Sequence, residues 1–172
     1  MRSMYYLKAK PISFSSKTRN KEKTVEYIVI HNTGNDGDTA KNNVDYFACW
    51  NERSAGAHFF IDQAGRIGRS IPMNNIAWAV GDNQKNIKSG ASLKNKVTNN
   101  NSISIELCDI VKKEPSKEMI EALLELIDYI VKYCPKVKRI VRHYDVTGKQ
   151  CPLIFIDDNK WYEFLSKLII CK

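Results

Sequence analysis

Five apolar runs, each too short to be a helix, most limit how this chain can fold. They are Glu26–Ile30 (EYIVI), Ala57–Ile61 (AHFFI), Arg66–Ile71 (RIGRSI), Ser102–Cys108 (SISIELC) and Arg139–Arg142 (RIVR). β-Branched and aromatic residues fill them and turn residues bound several of them, so they read as strands. In SISIELC, Ile103, Ile105 and Leu107 share one face, while Ser102, Ser104 and Glu106 share the other. Asp62-Gln63-Ala64-Gly65 reads as the turn joining the second run to the third. Between the runs the period changes to that of a helix. Ala40, Val44, Phe47 and Ala48 make one face over Thr39–Arg53, with Asp38 or Thr39 as cap. Met119, Ile120, Leu123, Leu124, Ile127, Ile130 and Val131 make another, opened by Pro115-Ser116 and closed by Pro135. A last helix starts at Asp157 or Asp158 and carries Trp161, Phe164, Leu165, Leu168 and Ile169. Strands alternating with helices predict an α/β fold: a central mixed β-sheet flanked by helices.

At 172 residues, with no linker and no internal repeat, a single domain is expected. Residues 1–24 are polar and lysine-rich and read as an irregular arm packed on the main domain, 25–172. Residues 83–101 read as a long Asn-, Lys- and Ser-rich loop of the kind that is usually functional or mobile, and His143–Cys151 reads as a loop with Gly148. No run of 18 apolar residues is present, so no membrane insertion is expected. Lys8 arrives too early for the apolar stretch of a secretory signal, so synthesis in the cytoplasm without a signal peptide is expected. The net charge of +8 favours polyanions in general. Its lysines, crowded between Lys8 and Lys23 and between Lys85 and Lys96, lack the layout of a nucleic-acid module, so no nucleic-acid partner is expected. The five cysteines are odd in number, irregularly spaced and without CxxC, which favours reduced thiols over a disulfide framework. Cys49, Cys108 and Cys134 read as small packing residues, and Trp50 and Trp161 as core or groove packing.

The chain has three histidines, and two of them stand at predicted strand ends: His31 after EYIVI and His143 after RIVR. Strand ends in α/β sheets are where sites are usually built. Cys151 follows His143 by eight residues. Two imidazoles and a thiolate make a zinc set with a fourth position open, although a lone histidine at a strand end is more often a hydrogen-bonded structural residue. Glu106 puts a carboxylate on the polar face of a buried strand, where a charge is costly unless paired or used. Lys149 lies two residues before Cys151 and, in extended chain, points the same way. Metal, carboxylate and ammonium are the parts of a metal-dependent hydrolase. His58 alternates away from the face of Ala57 and reads as structural, and Asp145 reads as a residue orienting a histidine.

Five motifs in order, YIVIHNTGN, AHFFIDQAGRI, IPMNNIAWAVGDN, NSISIELC and VRHYDVTGKQCP, resemble the type-2 N-acetylmuramoyl-L-alanine amidases over roughly residues 25–155. The phage and prophage endolysin branch, related to the peptidoglycan recognition proteins, is the most similar. The resemblance implies one zinc per chain on His31, His143 and Cys151, with Glu106 activating water and Lys149 contacting the substrate carbonyl. It implies substrate contacts from Asn32, Thr33, Trp78 and Asp82, with Gly81 in the same groove motif. It implies bacterial peptidoglycan as substrate, cut at the amide between N-acetylmuramic acid and L-alanine, by an endolysin or autolysin acting on the cell wall. Two positions depart from the pattern. Ala79 stands where relatives often carry histidine, and Ala57 stands where they carry an aromatic residue facing the site. A non-cutting peptidoglycan-recognition module and a basic nucleic-acid or lipid binder with a structural zinc are the alternatives. Cys151 argues against the first, and the lack of a fourth protein ligand against the second.

Overall fold

The structure is a computed structural model and describes residues 2–19, 24–81 and 91–170. Its strands are β1 Met4–Tyr6, β2 Phe14–Thr18, β3 Tyr27–Asn32, β4 Phe59–Ile61, β5 Ile67–Arg69, β6 Asn75–Ala77, β7 Ser102–Leu107 and β8 Arg139–Arg142. Its helices are α1 Ala40–Asp45, α2 Lys117–Tyr133, α3 His143–Thr147 and α4 Asp158–Ile170. Six strands form one sheet in the order β1-β5-β4-β7-β3-β8, and β2 pairs with β6 in a second, two-stranded sheet. In the large sheet β8, β3, β7 and β4 run parallel, β5 is antiparallel to β4, and β1 is parallel to β5. This is the mixed sheet that the apolar runs predict.

β3 is apolar on both faces because both are covered, as parallel strands in α/β sheets usually are. Ile28 and Ile30 join Ile103, Ile105, Leu107, Phe59 and Ile61 against Leu123, Leu126 and Ile130 of α2 and Trp161, Phe164 and Leu168 of α4. Tyr27, Val29 and Val141 face the other way, onto Val80, Leu93, Val97 and Val146. α2 starts where Ser116 Oγ accepts from Met119 N at 3.1 Å, and it ends at Cys134, ahead of Pro135. α1 is fixed by a buried carboxylate. Asp62 Oδ2 accepts from Ala40 N at 3.1 Å, while its Oδ1 accepts from Ala64 N and Arg66 N in the turn between β4 and β5. α1 then lies directly on β5: a Cβ at Gly68 would stand 2.5 Å from Val44 Cγ2 and 3.1 Å from Ala40 O.

Four local expectations change. The helix read over 39–53 is α-helical only to Asp45, and Tyr46–Trp50 widens into a π-type turn. There the arm intervenes, with Lys10 N donating to Phe47 O at 3.0 Å and Phe47 stacked on Phe60 at 5.4 Å. The arm is not irregular, since β1 extends the large sheet and β2 recruits β6, itself unforeseen. The loop read over 143–151 opens with α3, closed by Gly148 at φ 71°. Cys49 and Trp50 do not pack: Cys49 is exposed and Trp50 is 72% exposed.

Candidate active site

Parallel register builds the site. In β3 and β7, His31 stands opposite Glu106, and in β7 and β4, Glu106 stands opposite Phe60. On the other side Ile30 stands opposite Arg142, so His143, the next residue, arrives at the level of His31. His143, His31, Glu106 and Phe60 thus form a row across the C-terminal ends of four adjacent strands. Because side chains alternate, the row faces away from the α2–α4 core. The turn after α3 then returns the chain: Tyr144 N donates to Cys151 O at 2.8 Å, and Leu153 N donates to Asn32 Oδ1 at 3.1 Å. Those bonds seat Cys151 beside the end of β3.

His31, His143 and Cys151 are all buried. The two Nδ1 atoms face each other at 3.0 Å, and Asn32 N donates to Cys151 Sγ at 3.4 Å. One ligand atom from each of the three residues lies within 4.8 Å of the others. A tetrahedral zinc ion separates its nitrogen and sulfur ligands by roughly 3.3–3.8 Å, so small adjustments close the set. His143 also donates to the Val80 carbonyl, which fixes its ring, and His31 Nε2 is enclosed without a hydrogen-bond partner. Burial, helped by the charges of His143 and Lys149, holds His31 well below its ordinary pKa. Burial and Lys149 hold His143 down at about 4 against the Val80 bond. Burial and the Glu106 charge push the Cys151 thiol up to about 12, against the Asn32 N–H and Lys149. Two neutral imidazoles and a thiol that no cation yet ionises fit a divalent metal, which would reverse the thiol's preference.

A cavity of about 510 Å³ opens over this cluster, lined by Asn32, Thr33, Asp38, Tyr46, Phe47, Phe60, Trp78, Ala79, Glu106 and Lys149 among others. Glu106 is only half-buried, yet its Oε2 is enclosed and unpartnered. Burial lifts its carboxyl to about 7, with Asp38 adding to the rise and Lys149 opposing it. A carboxyl at that value, beside three atoms that could hold a metal ion and an ammonium, can take and return a proton near neutrality.

The chain matches the Amidase_2 family, N-acetylmuramoyl-L-alanine amidase, over residues 21–153. It belongs to that family. Among curated relatives, XlyB of Bacillus subtilis (strain 168), an N-acetylmuramoyl-L-alanine amidase, is 31% identical over 142 residues, covering 80% of this chain and 40% of the relative. CwlL of Bacillus licheniformis, also an N-acetylmuramoyl-L-alanine amidase, is 32% identical over 142 residues, covering 78% of this chain and 38% of the relative. The chain therefore spans about two fifths of the length of these relatives. The solved structure of PlyL superposes with a TM-score of 0.75 at 21% identity, covering 97% of each chain. The PlyG catalytic domain superposes at 0.73 with 23% identity, covering 97% of this chain and 93% of that one. Both show the same fold.

In this amidase-family chain the structure brings His31, Asn32, Thr33, Trp78, Glu106, His143, Lys149 and Cys151 to one cavity, whereas Asp82 lies outside the described residues. Thr33 Oγ1 is enclosed there without a partner, and Asn32 also ties β3 to the segment after Cys151. Ala79 lines the cavity, but Ala57 does not. Ala57 is buried under the cavity with Ala40, Val44 and Phe60, so an aromatic ring at that position would displace α1. His58 is structural: its Nδ1 accepts from Ser104 N at 3.0 Å and its Nε2 meets Asn75 O at 3.2 Å. Asp145 orients no histidine; it bonds the Arg142 backbone and guanidinium at 2.7–3.2 Å and caps α3. Sequence reasoning missed Tyr46, Phe47, Asp38 and Arg53, which also line the cavity. The polar cluster before α1 was the available signal for Asp38. The π-type turn that aims Tyr46 and Phe47 inward has no signature in the helical period.

Proposed function

We propose that this chain is a zinc-dependent peptidoglycan amidase that hydrolyses the amide between the lactyl group of N-acetylmuramic acid and L-alanine, as a phage or prophage endolysin or a bacterial autolysin acting on the cell wall. The observation that carries the reading is the enclosed Glu106 carboxyl, raised to about 7 within the same cavity as His31, His143 and Cys151. Those three side chains would hold one zinc ion and leave its fourth position open, since no fourth ligating group stands with them among the described residues. Zinc there would supply Lewis acidity, lowering the pKa of the attacking water and polarising the scissile carbonyl.

The remaining work falls to the chain. Glu106 Oε2 takes a proton from the water as its oxygen bonds the lactyl carbonyl carbon. The ammonium of Lys149 faces the oxygen that becomes negative. Glu106 then returns the proton to the alanine nitrogen as the C–N bond breaks, leaving a free amine and a lactyl carboxyl group, whose hydroxyl proton passes to solvent or to that amine. His143 keeps its orientation through Val80, and Asn32 holds Cys151 in place. Trp78, 37% exposed at the mouth, offers an apolar wall, and Asn32 and Thr33 offer polar contacts to the sugar and stem peptide, to which the family resemblance adds Asp82.

Two variants test this. Cys151→Ser is expected to lose stoichiometric zinc by elemental analysis. Glu106→Gln is expected to keep zinc and lose turnover by ~10²–10⁴-fold. Full zinc in the first removes Cys151 as a ligand, and near wild-type turnover in the second removes Glu106 as the base.

A further inference from the structure

The cavity has two side walls from unconnected parts of the chain. One is the π-type turn with Tyr46 and Phe47; the other is Trp78 and Ala79, just past β6. We propose that residues 4–19 set the separation and angle of these walls, with Arg19 as the positioning residue. The proposal rests on the amidase reading only in taking this cavity as the substrate site.

The arm holds the first wall from behind. Tyr5 Oη donates to Asp45 Oδ1 at 2.5 Å, and Lys10 N donates to Phe47 O at 3.0 Å. Leu7 packs on Ala40, Val44 and Phe60 beside Phe47. The same arm then holds the second wall. Phe14 stands opposite Ala77 and Thr18 opposite Asn75 in the β2–β6 pair. Ala9, Ile71 and Ala77 form a small core onto which both Phe14 and Phe47 pack, so one cluster touches both walls. Opposite the arm, Gly56 N donates to Trp78 O at 3.0 Å, and Asn99 Oδ1 accepts from Ala79 N and Val80 N at 2.9 Å. The Trp78 segment is thus pinned beyond β6, and the arm sets where β6 itself lies.

Arg19 closes the clasp. Its backbone N–H donates to Asn74 O at 2.7 Å. Its buried guanidinium donates to Asn75 O from Nε at 3.0 Å and Nη2 at 2.7 Å, and to Ser102 O from Nη1 at 2.5 Å. One fork therefore ties β6, which leads to Trp78, to the start of β7, which carries Glu106. Among the described residues no carboxylate pairs with it, and a buried cation spent on backbone carbonyls is costly to keep for packing alone. A lysine cannot reach both carbonyls with a fixed fork.

The test uses the zinc-loaded chain, Arg19→Ala and Arg19→Lys, with a soluble muramoyl tripeptide. Loss of positioning raises KM by about tenfold in Arg19→Ala, less in Arg19→Lys, while kcat and zinc content hold. A second readout needs no turnover: acrylamide quenching of Trp78 in a Trp50→Phe, Trp161→Phe background, which rises in both Arg19 variants. Lowered melting temperature with unchanged KM and unchanged quenching overturns the proposal and leaves the arm a purely structural brace. Should Arg19→Ala not fold, Arg19→Lys decides by the same two readouts. Wild-type chain that leaves the tripeptide intact contradicts the amidase reading, and quenching then decides the positioning claim by itself.

Discussion

Cys151 shows how much one side chain depends on the ion it would hold. Its thiol is pushed up to about 12, while His143 is held down at about 4 and His31 lies well below its ordinary value. Above pH ~8, beyond the range in which Glu106 titrates, the imidazoles are already neutral and the thiol still carries its proton. Zinc must displace that one proton, so its affinity is expected to rise about tenfold per pH unit between pH ~8 and ~9.5. Calorimetry in buffers of different ionisation enthalpy is expected to show about one proton released per zinc. A flat affinity across that window would mean that the thiol is not a ligand. At this scale the sequence was legible where chemistry conflicts with environment. A carboxylate inside SISIELC must be used or paired, and Glu106 is found enclosed in the cavity. It was illegible where a residue's partner is distant in sequence. Asp145 caps its own helix, and Ala57 faces α1 rather than the cavity, because tertiary neighbours settle both.

His58 shows the same dependence at the scale of elements, because it joins β4, β6 and β7. Its Nδ1 accepts from Ser104 N, so the neutral ring carries its proton on Nε2, facing Asn75 O at 3.2 Å. A second proton would confront the Ser104 N–H and place a cation 3.1 Å from Arg19 Nη2. Burial first and Arg19 second hold His58 well below its ordinary pKa. The unfolded chain protonates His58 near pH ~6.5 and the fold does not, so stability is full above that pH and falls as pH drops below it. The slope is at most about 1.4 kcal/mol per pH unit for this residue. His58→Asn keeps an acceptor for Ser104 and cannot titrate. Denaturation between pH ~6.5 and ~5 is expected to show a slope shallower by about one proton in that variant. Equal slopes would mean that His58 is protonated in the fold. Elements with strong period were legible: α2, α4, β3 and β7 lie where alternation and helical spacing put them. Those held only by partners were not. β1 has only three residues and β2 is mostly polar, and they are strands because β5 and β6 offer open edges.

The whole molecule is arranged so that the proposed chemistry falls at one end of the parallel strands of the mixed sheet. One face of β3 and β7 is committed to α2 and α4. The other face, at the strands' C-terminal ends, presents His31 and Glu106 in register and receives His143 from β8. Sequence motifs placed these residues in order along the chain, but only the register shows that they stand in one row. The arm, which precedes the family match at residue 21, packs behind the cavity walls from outside that row. The central claim is that this row, loaded with zinc, opens the amide next to N-acetylmuramic acid. Its most direct test is mass spectrometry of the soluble products from purified Gram-positive peptidoglycan, digested with and without a zinc chelator. The account predicts free stem peptides beginning with L-alanine, absent under chelation and restored by added zinc. Intact wall, or fragments cut within the glycan or between peptide residues regardless of chelator, would contradict it.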